Sequence, residues 1–186
     1  MKAAKLKWAT IKAVDIGASN SLGNFEMDVY IQSHALERMK ERLDSYKFNE
    51  ENLFFFLSVS KPVIIQNSNG QYLLIYGEPD KRIGYFVIEP VEGVALLTTF
   101  LFLTNDGTPE GEKLRALAGI EKTDKKYLKI DRLSAFAQSD IEQNEAAKHL
   151  FLKAGCGSLF DLFFHIDPDR SEQFNRADTL IKYLNL

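Results

Sequence analysis

His34, Arg38 and Arg42 recur every four residues within residues 33–43, SHALERMKERL. That spacing stacks three side chains on one face of a helix. An imidazole that titrates near neutrality can take or give a proton, and guanidinium groups hold phosphate oxygens through paired donors. Metal-free RNA cleavage needs such parts: a base for the 2′-hydroxyl, an acid for the leaving oxygen, and cations for the charge gathering on phosphorus. His34 is expected in the first helical turn, where backbone N–H groups attract an anion and the dipole disfavours the imidazolium. The partner acid or base is not marked in sequence. Tyr76, Tyr85 and Glu89 on later strands are the candidates, with the two tyrosines and Arg42 as binding groups. The same row has a second reading, as a half-buried helix margin whose arginine stems cover the core edge while their heads pair with acids. Tyr72, Tyr76 and Tyr85 likewise read as sheet packing with hydroxyls at the rim.

The elements that would position these groups follow from periodicity. At about 100° per residue, Leu36, Met39, Leu43 and Tyr46 form an apolar stripe beside the His/Arg row, and Ser33 is placed to cap a helix running to about Tyr46. Phe25, Met27, Val29 and Ile31 alternate with polar residues and predict a strand just before it. Residues 6–16 read as an edge strand, closed by the turn-rich GASNSLGN. Asn49, Glu50 and Glu51 open a second helix, which Pro62 ends. Four apolar runs follow, at residues 63–66, 72–76, 83–89 and 94–103, joined by loops short enough to force antiparallel neighbours. The last run, VALLTTFLFL, reads as a central strand covered on both faces.

Beyond Thr104 the pattern turns helical. Thr108-Pro109 and Gly119 bound a short helix, and residues 121–132 read as a charged loop or solvated segment. Ser139 opens a helix that Gly155 closes, and Asp167-Pro168 starts the last. The expected fold class is α+β: an antiparallel meander with two preceding helices on one face, then a helical C-terminal region. We divide it as residues 1–104, the α+β domain, and 105–186, helices packed on it as one compact unit.

Composition bounds the function. The 186 residues are 45% hydrophobic and 12% aromatic, enough for a sizeable core, and a net charge of −3 argues against non-specific nucleic-acid binding over the whole surface. A local basic site is compatible with it. The single cysteine, Cys156, lies between two glycines and reads as a small residue in a tight helix–helix turn, and no disulfide framework or zinc site is expected. His149 and His165 have no metal-ligand spacing. We expect no metal or cofactor, no membrane span, and a soluble cytoplasmic protein of bacterial style.

The order strand, helix, helix, meander, with HALERMKERL directly after the strand, resembles the small bacterial toxin ribonucleases of the RelE and BrnT type. The likeness is closer still to uncharacterised relatives in which a His-Ala-x-x-Arg-x-x-x-Arg helix opens the domain. It covers residues 25–104. The resemblance implies RNA as substrate, His34 and Arg38 as catalytic groups, and an inhibitory or antitoxin-like protein as partner. This chain departs from those toxins in its mild acidity, in its residues 105–186, and in having Lys81 and Arg82 at a turn rather than basic groups along the later strands. Two functions follow: an RNA-cleaving or RNA-phosphate-binding domain, or a non-enzymatic interaction domain of the same fold.

Overall fold

A computed structural model describes residues 3–18, 25–44, 53, 56, 62–78, 81–137, 140–161 and 177–184. The fold is mixed α+β. Among the described residues six strands, β1 (Ala3–Lys12), β2 (Glu26–Gln32), β3 (Ile64–Gln66), β4 (Tyr72–Glu78), β5 (Lys81–Val91) and β6 (Val94–Phe102), form one sheet in the order β1-β2-β6-β5-β4-β3. Every neighbouring pair is antiparallel except β2 and β6, which run parallel with Ile31 opposite Leu97. The sheet is therefore mixed rather than a pure antiparallel meander. A parallel pair needs a long crossover, and between β2 and β6 the chain passes through α1 (Ser33–Arg42), β3, β4 and β5.

Burial follows side-chain type. Met27, Val29 and Ile31 of β2 are buried, and β6 lies inside the sheet with Ala95, Leu97, Phe100 and Phe102 buried. The edge-to-face rings of Phe86 and Phe100 stand 5.1 Å apart between neighbouring strands; burying each such ring is worth about 2 kcal/mol. Gly84 belongs to the same packing, because a Cβ there would collide with the Leu101 carbonyl and the Phe100 ring.

The remaining elements are helical: α2 (Pro109–Ala118), α3 (Lys122–Tyr127), α4 (Ser134–Ala137), α5 (Glu145–Ala154), α6 (Ser158–Asp161) and α7 (Ala177–Leu184). Thr108 caps α2 by accepting from the Gly111 N–H, and Gly119 and Gly155 close α2 and α5 in the left-handed conformation. Several details differ from the sequence expectation. Gln32 rather than Ser33 stands at the N-cap of α1, and the helix ends at Arg42. Residues 122–127 of the expected charged loop are helical, Arg82 lies within β5, and Asn144 caps α5 in place of an earlier start. Of the second expected helix only Leu53 and Phe56 are described, both helical; Tyr46, Asn49, Ser139, His165 and Asp167-Pro168 lie outside the described residues. Among the described residues no helix is long and apolar enough to cross a membrane.

Candidate functional site

Helix α1 packs across β6 and buries Ala35, Met39 and Leu43. The buried stripe is thus one residue behind each member of the His/Arg row, which leaves that row at the margin. Its three members have different fates. His34 is exposed and its side chain makes no hydrogen bond among the described residues. Arg38 is half-exposed and donates from Nη1 to Glu41 Oε2 at 2.7 Å, one turn further along the same helix.

Arg42 is a different kind of residue. Its Nη1 donates to the carboxylate of Asp131 and, at 3.3 Å, to the Asp131 carbonyl oxygen. The Asp131 side chain is only 3% exposed, so this is a buried pair across 89 residues of sequence. The C-terminal end of α1 is capped by the same segment: the Leu133 N–H donates to the Arg42 carbonyl at 2.7 Å, and the Ser134 N–H and hydroxyl donate to Asp44 at 2.9 and 2.8 Å. A helix end leaves carbonyls without intrahelical partners and carries partial negative charge. The Leu133 N–H meets the first demand, and Arg42 is engaged by Asp131 within the fold.

The two tyrosines point to opposite faces of the sheet. Tyr76, half-buried, packs edge-to-face against Phe56, Phe86 and Phe100 at 5.0, 5.9 and 5.9 Å. Tyr85, next to Phe86 on β5, faces the other way and is fully buried. Its hydroxyl lies 3.0 and 2.9 Å from the two Glu110 oxygens and accepts from Arg82 Nη1 at 3.2 Å, while Arg82 and Glu110 pair at 3.0 Å. Burial, and then the Glu110 charge, raise the Tyr85 phenol above the ordinary tyrosine range. Glu89 is exposed, 3.5 Å from the Thr98 hydroxyl. Neither tyrosine joins His34 in a common site.

Sequence reasoning missed two buried polar clusters. One is Arg82–Tyr85–Glu110, beside which Gly155 packs on the Glu110 chain; Cys156, buried between α5 and α6, has its thiol pushed up to about 12 by burial and then by the Glu110 charge. The other is Lys125, 1% exposed, which reaches from α3 to Asp106 and, at 2.8 Å, to the Gly111 carbonyl. A buried charge must be paired, and Glu110 lies 25 residues from Tyr85 and Asp106 lies 19 from Lys125, so no local pattern announces these pairings.

One concavity of about 400 Å³ opens on the Tyr85 face of the sheet, lined by Thr99, Leu101, Asn69, Asp106, Glu112 and Arg115 among others. Its charges are engaged internally: Glu112 takes Arg115 at 2.6 Å and the Gly107 N–H at 2.9 Å, and Asp106 takes Lys125. None of the sequence-derived site residues lines it. Among the described residues no three His, Cys, Asp or Glu side chains gather as a metal site. Comparison of the chain with protein-family models, curated proteins and solved structures found no match to any.

Proposed function

We propose that the chain is an RNA-phosphate-binding domain of toxin-nuclease type, with His34 as its acid/base group and Arg38 as its phosphate clamp. The observation that carries this reading is that His34 and Arg38 stand at the surface on successive turns of α1, the His34 side chain with no partner among the described residues. The Arg38–Glu41 pair is no obstacle: exposed ion pairs contribute about 0–1 kcal/mol, less than a doubly hydrogen-bonded phosphate returns. Arg42 drops out of the clamp because Asp131 holds it. The element order β2, α1, then β3 to β6 supports the RelE/BrnT-like resemblance.

A second reading rests on the Arg42–Asp131 pair itself. In it the row has become the seat of residues 131–134, and the chain is a non-enzymatic interaction domain. One assay separates the two. Under the first reading, an unstructured RNA incubated with the protein in excess chelator is cut, and His34→Ala lowers the rate by about 100-fold or more. Arg38→Ala weakens binding by about tenfold. Cleavage that is absent, or unchanged in His34→Ala, contradicts the first reading and leaves the second.

A further inference from the structure

We infer that α3 and α7 together form a docking surface for single-stranded nucleic acid, built on residues other than His34 and Arg38. Tyr127, 72% exposed, is the most exposed large hydrophobic side chain among the described residues, and Tyr183, 45% exposed, stands beside it. Their ring centroids are 5.9 Å apart and the planes are tilted by 38°. The Tyr183 hydroxyl donates to Asp124 Oδ1 at 2.6 Å, which fixes its ring against α3.

Four lysines lie near the pair in sequence, on α3, on the turn after it and on α7. Lys122 and Lys126 sit one turn apart on α3, Lys129 follows it, and Lys182 adjoins Tyr183; all four are exposed, and none forms an ion pair among the described residues. Glu121 lies 3.9 Å from Arg115, Asp124 accepts from both the Tyr183 hydroxyl and the Glu121 N–H and keeps its charge, and α7 adds the exposed Asp178, so the four lysines exceed the acids of these elements by one. Lys129 also takes a left-handed backbone, φ 55°, at a turn of the kind that glycine fills after α2 and α5. Glycine would be easier there, and lysine supplies a charge.

The occupant follows from this chemistry. Protein interfaces are enriched in tyrosine and depleted in lysine, whereas exposed rings set among lysines are what unpaired bases and their phosphates require. A duplex hides its base faces and cannot stack on Tyr127.

The test is fluorescence anisotropy with a labelled 12-nucleotide RNA of mixed sequence, single-stranded and as a duplex, on the full chain. Tyr127→Ala removes an exposed ring, and an unchanged melting temperature verifies the fold. We expect tighter binding of the single strand, a loss of about 5- to 150-fold in Tyr127→Ala, and a salt slope shallower by about 1.4 in Lys122→Ala/Lys126→Ala. His34→Ala/Arg38→Ala reports on the α1 face separately. Binding lost there but kept in Tyr127→Ala would overturn the inference while leaving the α1 reading standing. No binding at low salt, or Tyr127-dependent self-association without RNA binding, would overturn it as well.

Discussion

His34, Arg38 and Arg42 have the same spacing and the same helix, yet their environments divide them. Arg42→Ala leaves the buried Asp131 carboxylate with only the Arg132 Nε at 3.4 Å, and breaking the closer pair in this way costs about 3 kcal/mol. We expect that loss in urea unfolding, with no change for His34→Ala beyond about 0.5 kcal/mol, since His34 is exposed. Equal effects of the two substitutions would contradict this division. Tyr85 gives a pH signature. Its folded pKa lies above the unfolded value near 10 because of burial and the Glu110 charge, so its contribution is complete below pH 10 and is lost as pH rises further, where the unfolded chain releases a proton that the folded chain keeps. Stability of Tyr85→Phe should therefore fall less steeply than wild type above pH 10 in paired melts. Parallel curves would place the phenol outside the Glu110 cluster.

At the scale of the element, sequence reading and structure agree where the determinants are local. Thr108-Pro109 and Gly119 mark α2 in the sequence and cap it in the fold, and the alternation of Met27, Val29 and Ile31 is that of β2. Agreement fails where the determinant is distant. Residues 121–132 look like a solvated segment because the partners of Lys125 and Asp131 are Asp106 and Arg42, far away in the chain. The α1 stripe keeps Met39 and Leu43 but has the small Ala35 as its fully buried first member where apolar size points to Leu36, which is partly buried. The junction of β6 with α2 is the tightest such place. A Cβ on Gly111 would run into the Asn105 carbonyl, whose residue precedes the capping Thr108. Gly111→Ala is expected to destabilise by about 3 kcal/mol or more, read as a lower urea midpoint with unchanged slope. A neutral effect would mean that this turn relaxes freely.

On the scale of the whole molecule, the parallel pairing of β2 with β6 sets α1 over the middle of the sheet, and residues 131–134 lock its far end. The N-terminal half of α1 is seated through Ala35 and Met39 while its His34/Arg38 margin stays at the surface. Sequence could supply the row and the order of elements; it could not supply which of the three cations the C-terminal region would claim, because that depends on contacts across 89 residues. The most direct test of phosphate contact is a residue-resolved NMR titration of the full chain with inorganic phosphate and then with a short RNA. The account predicts saturable shifts of residues 33–38 with both probes, abolished in His34→Ala/Arg38→Ala at an unchanged melting temperature, while RNA-induced shifts of α3 and α7 persist. Saturation with RNA that leaves residues 33–38 unmoved would contradict it.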